Sequence, residues 1–188
     1  MKTFALTLSL VLAAGPALAA VNVGDKVPPL VAKTSDLSGE QPRTADFDSQ
    51  KLEKPTVLFV LGTSCGSTAS YVDRVRELEQ QYASKGVDFV HLYPNRTDSA
   101  EQKVSYHKEK KLSGPMIDDH GGTVSKALGA QRTTETFILA KDGTLLYHGA
   151  VDDNKDDPAG VKNRYVATAL DEHLAGKPVT TTKSDVSA

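Results

Sequence analysis

The chain of 188 residues contains one cysteine, Cys65, which is its most reactive side-chain type. The segment around it, residues 62–68, is small and polar (Gly-Thr-Ser-Cys-Gly-Ser-Thr), which favours a loop over a core strand. With no second cysteine for an intramolecular disulfide, Cys65 is an inert buried thiol, an intermolecular disulfide partner or a reactive nucleophile. A reactive thiol must ionise, and at an ordinary pKa of about 8.5 only about 3% is thiolate at pH 7.

Cys65 lies between a predicted strand and a predicted helix. Residues 57–61 form a continuous apolar run, typical of a strand buried on both faces, and Gly62 ends it. The next large apolar residues recur at helical spacing: Tyr71, Val75, Leu78 and Tyr82. We therefore expect a helix whose inner face, Tyr71 included, packs in the core. The first turn of a helix favours a thiolate, but its dipole contributes only about 0.3–1 kcal/mol, so strong activation needs further N–H donors or a nearby cation.

The rest of the chain alternates between predicted strands and helices. Strands are predicted at 87–93, 115–117, 136–140 and 144–148. Helices are predicted at 99–111, 124–128 and 160–175. The last two strands are joined by residues 141–143 (Lys-Asp-Gly), a hairpin turn. The order predicts an α/β fold whose mixed sheet has a parallel β-α-β half and an antiparallel hairpin half, flanked by helices.

The two ends of the chain are predicted to differ from this domain. Residues 1–19 have a basic start, an apolar run and an Ala-Leu-Ala cleavage pattern. These features predict a signal peptide, and hence an exported protein, periplasmic or secreted. Within a domain of residues 20–178 we interpret 20–50 as an irregular lead-in with room for a short hairpin. Polar residues 179–188 are predicted to be a flexible tail.

Composition argues against several classes of function. The formal net charge is −2, and neither its sign nor its size suits a nucleic-acid partner. No apolar run approaches the roughly 20 residues of a membrane-spanning helix, so we expect no stable membrane association. The five histidines are scattered singly, without the short spacings of metal ligands. We therefore predict no metal site and no cofactor.

Five segments share their order with a known group of proteins. They are residues 23–28 (Val-Gly-Asp-Lys-Val-Pro), 57–65, 85–90, 136–143 and 149–154. In this order they resemble the thioredoxin superfamily, within the branch of redoxin, peroxiredoxin-type and exported thiol–disulfide oxidoreductase domains. The resemblance implies a thioredoxin-like three-layer sandwich.

The chain departs from this family's pattern at three positions. Thr68 stands where the Cys-x-x-Cys motif has its second, resolving thiol. Gly62 stands where peroxiredoxins carry a threonine three residues before their reactive cysteine. Thr134 stands where a thioredoxin-type fold usually has a cis-proline, so a trans peptide is expected there.

The resemblance also implies roles for residues around the thiol. Cys65 is the predicted catalytic residue, and Arg132 is the candidate cation for its thiolate because the loop of Arg132 faces the cysteine in this fold. The predicted substrate-binding residues are Ser64, Gly66, Thr133 and Thr134. The substrate would be a disulfide or a peroxide. An external thiol, on a small molecule or a protein, would act as the reductant.

Two functions of different classes remain open from the sequence. The first is a thiol-dependent oxidoreductase that uses one cysteine and an external resolving thiol. The alternative is a non-catalytic thioredoxin-like domain that binds a protein or ligand. Loss of the second cysteine, the peroxiredoxin threonine and the cis-proline is what relaxed constraint on a redox site would produce.

Overall fold

A computed structural model describes residues 21–186, so the predicted signal peptide lies outside the described residues. The seven strands are β1 (Val31–Asp36), β2 (Arg43–Asp48), β3 (Thr56–Val60), β4 (Asp88–Leu92), β5 (Met116–Ile117), β6 (Thr136–Leu139) and β7 (Leu145–Gly149). The four α-helices are α1 (Gly66–Ala83), α2 (Ala100–Glu109), α3 (Thr123–Leu128) and α4 (Tyr165–Leu174). In the described part of the chain, no helix has the length and apolar character needed to cross a membrane.

The strands form one mixed sheet in the order β2-β1-β5-β4-β3-β6-β7. β3, β4 and β5 are parallel, whereas β6 and β7 run antiparallel to their neighbours. All five residues of β3 are buried because both faces of the sheet are covered. Phe59 packs with α1 on one face, and Leu58 packs with α3 on the other. The predicted mixed sheet between helical layers is confirmed.

The segment 20–50 is more regular than the lead-in that we predicted. β1 and β2 pair over six residues each as an antiparallel hairpin, and Ser35 of β1 joins the sheet opposite Met116 of β5. Leu30 and Phe47 are buried in the central apolar cluster. The hairpin allowed for by the sequence therefore extends the main sheet.

The prediction of a frayed tail is wrong for residues 179–186. The His148 amide donates to the Thr182 carbonyl at 3.1 Å, and Lys183 bridges to His148 of β7. The Ser184 hydroxyl lies 2.7 Å from the Tyr147 hydroxyl. A Cβ at Gly149 would come within 2.7 Å of the Ser184 amide nitrogen, so glycine allows this close packing.

The last helix begins at Tyr165, five residues later than predicted. The two carboxylate oxygens of Asp153 accept the backbone N–H groups of Lys162 at 2.9 Å and Asn163 at 3.0 Å. These bonds hold residues 161–163 in an extended loop, because their amides already have a side-chain acceptor outside any helix.

Candidate functional site

Cys65 occupies the corner between β3 and α1, as predicted. Its backbone is extended, with φ −85° and ψ 124°, and it is the N-cap residue of α1. Its carbonyl accepts the first helical bond, from the Ala69 amide at 3.1 Å. The side chain is partly exposed, so a reagent in solvent can reach the sulfur.

The environment of the Cys65 sulfur favours the thiolate. Burial by itself raises the pKa of Cys65, but the Thr133 hydroxyl, the nearby Thr68 and Ser67 amides and the Thr68 hydroxyl together outweigh it, so the pKa lies below its ordinary value. The Thr133 Oγ1 is 3.0 Å from Sγ. Amide and hydroxyl donors thus stabilise the negative sulfur, as expected at the first turn of a helix.

Gly62 leaves space for the side chains that pack beside the thiol. A Cβ at this position would lie 2.6 Å from the Asn95 side-chain nitrogen and 3.1 Å from the Thr133 methyl carbon. The Gly62 amide donates to the Thr68 hydroxyl at 3.2 Å. The residue that stands in place of the peroxiredoxin threonine therefore makes room for Asn95 and Thr133 beside Cys65.

Arg132 has a different partner from the one that we predicted. One terminal nitrogen of its guanidinium donates to the carbonyl of Val186 in the C-terminal segment, at 3.1 Å. The largest contributions that lower the pKa of Cys65 come from hydroxyls and amides. The Arg132 amide donates to Glu135 at 2.9 Å, which fixes the backbone of this loop while its side chain reaches the tail.

Thr134 lies in the loop that precedes β6, and its side chain is fully buried. No cis peptide bond occurs in residues 21–186, so the expected trans peptide is confirmed at this position. Thr134 has φ +71°, a left-handed backbone that is costly for a β-branched residue. Its amide donates to the Val60 carbonyl at 2.7 Å. The Thr134 hydroxyl is therefore closed to solvent in this structure.

The other predicted site residues lie at the surface of the corner. Ser64 and Gly66 are exposed on either side of Cys65, and Thr133 is partly exposed with its hydroxyl on the sulfur. Thr133 is thus the predicted binding residue that the structure places in direct contact with the thiol.

Three residues near the site were missed by the sequence analysis. Asp98 is buried, and its carboxylate accepts the Thr63 amide at 2.9 Å. Asn95 packs over Gly62. Burial raises the pKa of Tyr106 to about 12, with smaller contributions from the negative charges of Glu109 and Cys65. A signal existed for Asn95 and Asp98, because they follow the carboxyl end of β4 beside that of β3, where sites form in parallel sheets.

The buried His91 and His107 and the partly exposed His148 take part in internal hydrogen bonds. Their partners are Glu79 for His91 at 2.7 Å, the Tyr93 hydroxyl for His107 at 3.2 Å, and Glu135 for His148 at 2.7 Å. Over residues 21–186 the structure holds no group of three His, Cys, Asp or Glu side chains suited to a metal ion.

The fold is that of thioredoxin-like proteins. The structure aligns with a thioredoxin-like protein in its oxidised form with a TM-score of 0.61 and 18% identity, covering 81% of this chain and 97% of that one. An uncharacterised conserved protein from Geobacillus kaustophilus aligns with a TM-score of 0.75 and 24% identity, covering 87% and 88%. The predicted thioredoxin-like architecture is therefore confirmed.

The sequence comparisons give the family. The Redoxin family model matches residues 22–165, so the chain belongs to the Redoxin family. Over 126 residues the chain is 28% identical to the thiol-disulfide oxidoreductase ResA of Bacillus thuringiensis subsp. konkukian (strain 97-27), covering 67% of this chain and 68% of that protein.

Proposed function

We propose that this protein is an exported thiol–disulfide oxidoreductase that uses Cys65 alone and an external thiol. The observation that carries the proposal is the hydrogen-bonded, partly exposed sulfur at the start of α1, whose pKa is lowered by Thr133, Thr68 and Ser67. The similarity to a thiol-disulfide oxidoreductase supports this chemistry. The signal-peptide pattern of residues 1–19 supports export.

The first step is attack of the Cys65 thiolate on one sulfur of a substrate disulfide. A bond forms between Sγ and that sulfur, the substrate S–S bond breaks, and the second substrate sulfur leaves as a thiolate that takes a proton from water. Cys65 is thereby oxidised to a mixed disulfide, and half of the substrate is reduced to a thiol. The exposed flanks of the sulfur, Ser64 and Gly66, are where the substrate chain would lie.

The second step needs a thiol from another molecule. Position 68 holds a buried threonine, and Cys65 is the one cysteine of the sequence. An external thiolate attacks the substrate sulfur of the mixed disulfide, a new external disulfide forms, and the Cys65 thiolate is released. The protein thus transfers the electrons of the external thiol to the substrate disulfide.

A peroxide is the second substrate class for the same sulfur. The thiolate would take one peroxide oxygen to become a sulfenic acid, and the remaining oxygen would leave as water or an alcohol. Gly62 stands where the family's peroxide-reducing members carry a threonine, so a disulfide is the better supported substrate.

The experiment that tests the proposal is alkylation of Cys65 by iodoacetamide as a function of pH. We expect the midpoint of the folded protein to lie below that of the same protein unfolded in urea. Mass spectrometry after addition of oxidised glutathione should then find a mixed disulfide at Cys65, formed faster than in the unfolded control. Cys65→Ser is the negative control.

Equal midpoints in the folded and unfolded protein, with no faster mixed-disulfide formation, would refute the redox assignment. The non-catalytic binding domain would then be the better description. A fast reaction with hydrogen peroxide and a slow one with disulfides would show that peroxides are the preferred substrates. Cys65 would still be the reactive thiol.

A further inference from the structure

A groove of about 300 Å³ lies directly beside the thiol site. It runs between the loop that follows β4, the start of α3 and the loop that precedes β6. Its polar lining includes Asn95, Arg96, Lys126, Arg132 and Thr133. This volume is at the small end of ligand pockets, which suits a small molecule better than a folded partner.

The charge of the groove is positive. Arg96, Lys126 and Arg132 line it, and no carboxylate side chain does. Among residues 21–186, none of these three cations has a carboxylate within ion-pair distance; Arg132 is bonded to a backbone carbonyl. A concave surface lined by one sign of charge raises the local concentration of ligands of the opposite sign.

The acidic residues near the groove are committed to other groups. The Asp119 carboxylate accepts the amides of Val124 and Ser125 at 2.8 Å each. Glu135 is bonded to His148 at 2.7 Å. Asp118 pairs with Lys103 at 2.6 Å. Asp98 is buried and accepts the Thr63 amide at 2.9 Å, so none of these four carboxylates is bonded to a cationic group of the groove.

Two glycines let the cations lie across the floor of the groove. A Cβ at Gly121, where φ is +86°, would come within 2.9 Å of the Arg96 guanidinium. A Cβ at Gly122 would lie 3.3 Å from a methylene carbon of Lys126. The Arg96 guanidinium and the aliphatic part of Lys126 thus lie close to this glycine pair, and both side chains are exposed to solvent.

The groove and the thiol share Thr133 and Asn95. The Thr133 hydroxyl is 3.0 Å from the Cys65 sulfur, and Thr133 also lines the groove. Asn95 packs over Gly62, next to the Cys65 Cβ, and lines the groove as well. A small molecule held by the cations would thus have its own sulfur within reach of Cys65.

We propose that this groove binds the carboxylates of a small anionic disulfide, so that such disulfides are the preferred reaction partners of Cys65. This inference rests on the proposed function. The Cys65 thiolate forms a bond to one substrate sulfur, the substrate S–S bond breaks, and the departing thiolate is protonated by water. The cations act by holding the carboxylates beside the reacting sulfurs.

Three disulfides of nearly equal size and different charge test the proposal. They are 3,3′-dithiodipropionate, which is anionic, 2-hydroxyethyl disulfide, which is neutral, and cystamine, which is cationic. Each rate constant with the folded protein is divided by that with the urea-unfolded protein, which removes differences in intrinsic reactivity. We expect the ratio for the anion to exceed that for the neutral disulfide by about tenfold at low salt, and the cation to have the smallest ratio.

A double variant that removes two positive charges of the groove, Arg96→Gln with Lys126→Gln, tests whether the preference for the anion arises there. It should lower the rate with the anion by about tenfold, and leave the rate with the neutral disulfide within about twofold. The matched control is Lys141→Gln with Lys177→Gln. It removes the same charge at the opposite end of the molecule, where the β6–β7 turn and the end of α4 lie. This control should keep the preference.

The possible failures are distinguishable. If Cys65 reacts faster than in the unfolded protein with all three disulfides but without regard to charge, the groove proposal is refuted and the proposed function stands. If Cys65 reacts no faster than in the unfolded protein with any of them, the proposed function fails first. An equal loss in the groove variant and the distant control would assign the preference to net charge and would also refute the groove.

Discussion

Replacing Thr133 by valine removes the hydroxyl that touches the thiol and keeps the shape of the side chain. The Oγ1 of Thr133 lies 3.0 Å from the Cys65 sulfur, and its methyl group packs against Gly62. Hydrogen bonds to charged groups contribute about 1.5–3 kcal/mol when buried. Because Cys65 is partly exposed, water competes for the sulfur and the contribution is nearer about 1 kcal/mol.

A loss of about 1 kcal/mol makes ionisation of Cys65 about fivefold less favourable at a given pH. The assay is the ultraviolet absorbance of the thiolate as a function of pH, with Cys65→Ser as the blank. The alkylation rate below the midpoint should fall less, by about two- to threefold, because a more basic thiolate is also a better nucleophile. Thr133→Ser keeps the hydroxyl and should behave like the wild type.

The reasoning would be refuted by superimposable titration curves for Thr133→Val and the wild type. The stabilisation of the thiolate would then come from the amides of α1 alone. A lower melting temperature for Thr133→Val would point to a disturbed loop, and Thr133→Ser is the comparison that separates this effect from loss of the hydrogen bond.

Three other substitutions test the physical account of the site and core. Gly62→Ala places a Cβ against Asn95, so we expect a loss of about 1–3 kcal/mol in urea unfolding and a slower thiol reaction; unchanged values would mean that the loop yields freely. Thr134→Gly relieves a left-handed backbone at φ +71° and should raise the unfolding free energy by about 1 kcal/mol, whereas a loss would show that side-chain packing dominates. Burial and the nearby His91 lower the pKa of His107 from 6.5 to about 4. Between these two pH values the unfolded chain binds a proton at His107 and the folded protein does not. The free energy of unfolding should therefore fall as the pH drops from 6.5 to 4, by up to about 3 kcal/mol. His107→Gln should flatten the pH dependence of urea unfolding between pH 6.5 and 4.5, and an unchanged slope would assign it to other groups.

The elements closest to the cysteine were predictable because their signals are local. The apolar run of β3, the helical spacing of α1 and the turn between β6 and β7 are each contained in a short stretch of chain. Their order also determines that the parallel and antiparallel halves share one sheet.

The two ends of the domain were harder to predict for a common reason. β1 is largely polar, and its Val31 is 67% exposed, so no buried face marks it as part of the main sheet. The tail is ordered by contacts of Thr182 and Ser184 with β7, far away in the sequence. Order that depends on a distant partner leaves little pattern in the segment itself.

The sequence by itself determined that Cys65 stands alone at a strand-to-helix corner, and therefore that any disulfide it forms joins two molecules. It did so because residue count and local periodicity need no knowledge of distant contacts. Only the tertiary structure decided that the Thr133 hydroxyl contacts the sulfur, that Arg132 bonds to the C-terminal segment, and that Arg96 and Lys126 line one groove beside the site. These residues come together across long stretches of chain, 68 positions in the case of Cys65 and Thr133, because the sheet brings the ends of separate strands to one edge.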